Sequence, residues 1–237
     1  MNLILDAAAW LSDPAHWSGP GSVPTRTLEH LWVTLVVVAA AAAVALPAGV
    51  WVGHTGRGRS AVVAFAGAAR AIPTLGLLTL LGLWLGIGLG APLLALIVLA
   101  VPSLLAGAYS GVESVDRTTT SAARALGMSE WQIVTRVELP LAAPVILGGV
   151  RAATLQVIAT ATLAAYLANT GLGRYLFNGL KSRDYAQMLA GALLVTLLAL
   201  LLEIVLASLQ RRAQRLARPA TGRSQSSTPM VPTKGPS

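Results

Sequence analysis

Ser121-Ala122-Ala123 stand in a polar, basic stretch between long apolar segments; Gly127 follows, and nine residues later Val137-Glu138-Leu139-Pro140 leads into the next apolar run. The chemistry suited to that spacing is docking rather than bond making. Alanine is the strongest helix former, and Ala122 and Ala123 have little side chain to keep another surface away. Gly127 takes the positive φ that ends a helix and turns the chain. Ser129 fits the N-cap of a second element, and Pro140 fits the first turn of the following helix, where a missing N–H costs little. A second set lies inside an apolar run: Thr154, Gln156, Thr160 and Thr162, with Asn169 beyond its end. Polar groups in hydrocarbon tend to face a bundle interior or a water path, and residues four apart share a helix face. Gln156 and Thr160 are therefore the candidates for lining a translocation path. Arg70, Arg151 and Glu203 also lie in or near apolar runs. The depths of Arg151 and Glu203 match well enough to predict an ion pair between them.

Other chemistries lack their residues. Cysteine is absent, so there is no thiol or disulfide chemistry. His16, His30 and His54 are isolated and have no metal-ligand spacing. Lys181 and Lys234 are the only lysines, and neither follows the glycine-rich pattern of a phosphate-cradling loop. ATP hydrolysis is thus not expected of this chain, and no catalytic residue is assigned. The six tryptophans do not converge into an aromatic cage.

The elements that must position these residues are membrane helices. Of 237 residues, 55% are apolar and only 11% charged, against roughly 25% charged in soluble domains. The apolar runs approach or exceed the ~18–20 residues that span a bilayer. The predicted fold is all-α and polytopic, with five spans. They cover about 31–52, 61–85 (interrupted at Pro73), 93–112, 141–165 and 186–209. Trp32 and Trp51 bracket the first, about 28 Å apart along a helix, as membrane-edge tryptophans do. Residues 1–30 read as a mostly irregular lead without a cleavable signal, 113–140 as the polar loop, and 210–237 as a basic, largely disordered tail. Alternate connections carry eleven Lys and Arg on one side and four on the other. The basic side is assigned to the cytoplasm, with the N-terminus outside and the C-terminus inside. That places the Ala-Ala-Gly loop in the cytoplasm.

The 121–140 pattern resembles the coupling loop of bacterial ABC importer permeases. Their pattern is Glu-Ala-Ala, three residues, Gly, nine residues, Ile, one residue, Leu-Pro. Here Ser121 stands for the Glu and Val137 for the Ile; Ala122, Ala123, Gly127, Leu139, Pro140 and both spacings match. The resemblance covers about 28–212. It is strongest to permeases for glycine betaine, choline, carnitine and related osmoprotectants, through Arg70-Ala-Ile-Pro-Thr-Leu-Gly-Leu-Leu, the run from Val137 to Arg151, and Ala159-Thr-Ala-Thr-Leu-Ala-Ala165 with Thr170-Gly-Leu-Gly173. The resemblance implies a type I importer permease core of five helices in the inner membrane. The implied partners are a pair of ATPase subunits, a second identical or related permease, and an extracytoplasmic binding protein for which the 166–185 loop is a docking candidate. No cofactor is implied on this chain, since ATP and Mg belong to the ATPase. Amino-acid and methionine permeases share parts of these stretches, so a permease for another small solute is the alternative. An ATP-independent channel would leave the loop without a purpose, and an intramembrane enzyme lacks a nucleophile and base.

Overall fold

The computed structural model describes residues 2–217, the side chain of Arg70 excepted. Ten α-helices account for the fold among them. A short helix α1 (Leu3–Ser12) precedes the long α2 (Val23–Thr55). Next come α3 (Arg59–Arg70), α4 (Thr74–Leu85) and α5 (Gly90–Glu113). The polar loop holds α6 (Arg117–Ala125) and α7 (Glu130–Ile133), which a π-helical turn at Val134–Glu138 joins to α8 (Leu139–Ala164). The chain closes with α9 (Gly173–Ser182) and α10 (Tyr185–Ala217). α2, α5, α10 and the continuous Glu130–Ala164 helix are each long and apolar enough to cross a membrane.

α3 and α4 meet at an angle of 87°. Pro73 lies at that break, where its ring and missing N–H stop a helix from continuing. The packing shows that this bent pair returns the chain across the same thickness. Gly49 of α2 lies against Leu105 and Ala108 of α5, and Gly53 lies against Tyr109 and Val112. Positions advance together, so α2 and α5 run parallel, and the connection between them must travel back the whole way. The pair therefore makes a fifth crossing, by a broken helix rather than the interrupted straight one the composition suggested. α8 runs antiparallel to α5, with Gly149 against Gly107 and Gly111 against Ile146.

Small residues make these approaches close. A Cβ on Gly107 would stand 2.6 Å from the Gly149 Cα. Helix pairs in lipid gain from such close packing because there is little hydrophobic drive between them. The central cluster joins Val37, Ala41 and Ala45 of α2, Leu96, Ala100 and Leu104 of α5, and Ala153, Val157 and Ala161 of α8.

Three expectations need correction. The lead was expected to be mostly irregular, yet α1 is helical, and α2 begins at Val23 with Pro24 in its first turn. The breaking signals Asp13-Pro14 and Gly19-Pro20-Gly21 act only between these helices. Trp10 then packs edge-on to Tyr175, with ring centroids 5.1 Å apart, so tertiary contact holds α1 in place. The basic tail, expected from 210, is helical as far as Ala217; the part from 218 to 237 lies outside the described residues. Finally, the 166–185 connection is not a simple loop, since it carries α9.

Candidate functional site: the polar loop and two cavities

The polar loop is built by local rules. The Asp116 carboxylate accepts the Thr118 N–H at 2.8 Å and caps α6. That hydrogen bond holds its carboxyl below the usual carboxylate range. At the other end, the N–H groups of Gly127 and Met128 donate to the carbonyls of Arg124 and Ala123, at 2.9 and 3.2 Å. With Gly127 at φ 82°, this is the Schellman ending. Ser129 and Gln132 cap α7 reciprocally: the Ser129 N–H donates to Gln132 Oε1 at 2.8 Å, and the Gln132 N–H donates to Ser129 Oγ at 3.4 Å.

Ser121, Ala122 and Gly127 are exposed, and Ala123 is buried. Only one of the two alanines thus offers a surface to a partner, while Ala123 seats α6 on its own chain. Val137 and Leu139 are half-buried, and Pro140 is exposed. Pro140 does not open a helix after a turn: the helix runs through it, and the π turn at Val134–Glu138 lies just ahead. Leu126 and Trp131 are 84% and 75% exposed. They add an apolar patch that the alanine–glycine pattern did not flag, although both are legible as large apolar side chains in a polar stretch.

Charged groups tie the loop together. Arg124 donates from Nε to Glu130 Oε1 at 2.7 Å and from a terminal nitrogen to Glu130 Oε2 at 2.9 Å. Arg124 holds the Glu130 carboxyl below its ordinary range, and Glu130 pushes the guanidinium up. His54, at the end of α2, lies 2.8 Å by Nδ1 from Glu138 Oε2 and 3.2 Å by Nε2 from Glu130 Oε2. Sequence spacing gave His54 no partner, because the nearer carboxylate is 84 residues away. Beneath the loop is a polar cavity of about 370 Å³, lined by Ser121, Arg117, Arg124, His54 and Glu138 among others.

A second cavity, of about 360 Å³, opens at the break between α3 and α4 and is lined by Ile72, Thr74, Leu99, Ser103, Ala152 and Gln156. Gln156 accepts from Ser103 Oγ at 3.1 Å and donates to the Leu99 carbonyl at 3.2 Å. Thr160 is not among this cavity's lining residues; its hydroxyl donates to the Gln156 carbonyl one turn back, at 2.8 Å. Thr154 and Thr162 likewise bond their own helix. The structure thus brings Gln156, and not Thr160, to this cavity.

The predicted pair forms between α8 and α10. Arg151 donates from Nε to Glu203 Oε2 at 2.7 Å, and a second nitrogen contacts Glu203 Oε1. Arg151 also donates to Gln210 Oε1 at 3.0 Å, and Gln210 reaches the Pro144 carbonyl at 3.1 Å. At the opposite face, Glu29 accepts from Arg26 and from the Gly171 N–H, both at 2.8 Å. His30 is buried beside them, its Nε2 3.0 Å from the Ile158 carbonyl. Among the described residues no cluster could hold a metal ion.

Residues 45–217 match the model of the family described as "Binding-protein-dependent transport system inner membrane component". The chain is 33% identical over 192 residues to a glycine betaine/carnitine/choline transport system permease protein of Bacillus subtilis (strain 168), covering 81% of this chain and 88% of that one. It is 34% identical over 187 residues to a carnitine transport permease protein of Listeria monocytogenes, covering 79% and 86%. Among solved structures it is similar to a chain of the MetNI methionine ABC transporter in an inward-facing conformation. The TM-score is 0.72 at 24% identity, over 85% of this chain and 99% of that one.

Proposed function

The chain belongs to the family of binding-protein-dependent transport system inner membrane components, and from that premise we propose that it imports a small quaternary ammonium osmoprotectant such as glycine betaine, choline or carnitine. The observation that carries the substrate class is its identity to relatives named for those solutes, over most of their length. The fold is that of type I importer permeases, all-α and membrane-embedded, and it performs no covalent chemistry in this reading.

The motor is a separate pair of ATPase subunits, which hold ATP and Mg. They dock on the loop through Ser121, Ala122, Gly127, Leu126, Trp131 and Pro140, with Ala123, Val137 and Leu139 seating it on the bundle. A short rigid helix capped at both ends passes on a push without bending. Movement of the loop then enters α8 directly, because α7, the π turn and α8 are one continuous helix. α8 carries Gln156 to the cavity at the α3–α4 break, and in this reading Gln156 lines the translocation path while Thr160 orders the turn behind it. A second permease, identical or related, completes the pathway, and a binding protein delivers the solute at the face that bears α9. The loop, Thr55 and the end of α10 face the cytoplasm, as the excess of Lys and Arg on that side indicates.

The test is mild-detergent purification of the tagged chain, with mass spectrometry of what accompanies it. The expected result is a stoichiometric ATPase, lost in Leu126→Asp, whose side chain is exposed and whose replacement leaves the bundle intact. Radiolabelled betaine, choline and carnitine are then offered to the reconstituted assembly. Recovery of the chain alone, or uptake of methionine instead, overturns the corresponding part of the reading.

A further inference from the structure

We propose that His54 is a positioning residue that holds the coupling loop against the first long helix by bridging two carboxylates of that loop. This rests on the preceding reading that the loop receives the ATPase.

Three elements meet at His54. Its Nδ1 faces Glu138, which is 5% exposed and sits at the end of the π turn; its Nε2 faces Glu130 at the start of α7. Glu130 is held in turn by both donors of Arg124 on α6. α2 is thereby joined through one side chain to every segment of the loop. Without His54, the hydrogen bonds and ion pairs among the described residues leave the α6–α7 unit joined to the bundle only along its own chain.

The two contacts differ. Nδ1 hydrogen-bonds Glu138 at 2.8 Å, whereas Nε2 lies in ion-pair range of Glu130 at 3.2 Å. Glu130 is also much the more exposed, at 57% against 6% for the Glu138 side chain. The Glu138 contact therefore anchors the ring, and the Glu130 contact is the one that reaches α7 and, through Arg124, α6. Other charged groups stand nearby. Arg59 of α3 and Glu113 of α5 line the same cavity but are paired with each other at 3.0 Å, and Arg117 of α6 lines it as well.

The strut matters because both ends move something. α2 packs along the whole of α5, and the loop continues into α8. Seated on both, the loop drives two sides of the bundle together. Without His54 the loop has no direct ion-pair link to α2, and less of the ATP spent moves solute.

The test uses the complete transporter in proteoliposomes and reads solute moved per ATP. His54→Gln is expected to lose about five- to tenfold in that ratio, the size of an ordinary coupling free energy, whereas His54→Lys, which keeps a donor toward the two carboxylates, should retain most of it. The absence of cysteine allows a second, substrate-independent readout, with nitroxide labels on Arg57→Cys and Ala125→Cys in the same assembly. Their separation should be narrow in wild type and broad in His54→Gln. A His54→Gln transporter with the wild-type ratio and label separation overturns the strut. If betaine, choline and carnitine all fail as substrates while His54→Gln still broadens the label separation, the substrate reading falls and the strut stands.

Discussion

Two arginine–glutamate pairs with the same two-pronged geometry do different work in this protein. Arg124–Glu130 spans six residues in the polar loop, with the two side chains 46% and 57% exposed. Arg151–Glu203 spans 52 residues between α8 and α10, in the membrane-crossing part of the bundle. Water and salt screen the first, so its free energy is small and its use is to set the angle between α6 and α7. The second is about a third exposed and joins two membrane-crossing helices, where a charge finds few other partners, so it ties those helices together. Identical chemistry is a hinge pin in one medium and a bolt in the other.

Four experiments break or sharpen that contrast. Arg151→Ala should have the largest effect by leaving Glu203 without its partner between two membrane-crossing helices, read as a lower melting midpoint in detergent. The exchange Arg151→Glu with Glu203→Arg should recover most of the loss, whereas Arg124→Ala should leave the midpoint nearly unchanged. Gly149→Ala comes next, because its Cβ would stand 2.8 Å from the Gly107 Cα. Forcing α5 and α8 apart should cost about 2 kcal/mol by the same melting assay, which asks whether packing rivals the Arg151–Glu203 pair. Ser129→Ala should cost about 1 kcal/mol through loss of the capping box, seen as faster amide exchange at 130–133 with the melting midpoint of the bundle unchanged. The smallest effect is acidification. Glu130 is held below its unfolded value, so its contact contributes fully above the unfolded value and is lost as pH falls through the folded one. Amide protection of the loop should persist from neutral pH to about pH 5 and fade below about pH 4. Fading that starts near pH 6 would show that Arg124 does not govern Glu130.

Much of the architecture was legible from local signals. Pro73 marks the break between α3 and α4, where a helix would lose a hydrogen bond, although α2, α5 and α8 carry Pro47, Pro102 and Pro144 without ending. Gly127, Ser129 and Asp116 shape the loop through bonds to residues at most five positions away. The Arg151–Glu203 pair was legible for another reason: in a bilayer, depth alone restricts where a charge finds a partner. The lead was misread because its turn residues were allowed to speak for the helix-forming Ala7-Ala8-Ala9 beside them.

By itself the sequence determined the all-α membrane class, the break at Pro73, the capped polar loop and the family resemblance, since each rests on runs of composition or on contacts between close neighbours. Only the tertiary structure decided that α2 and α5 lie parallel, that Gly107 faces Gly149, that Gln156 reaches a cavity and that His54 stands between Glu130 and Glu138. Those facts depend on which helix faces are turned toward each other. The rotation of a helix in lipid is set by the fit of all its neighbours at once, and no stretch of chain carries that information alone.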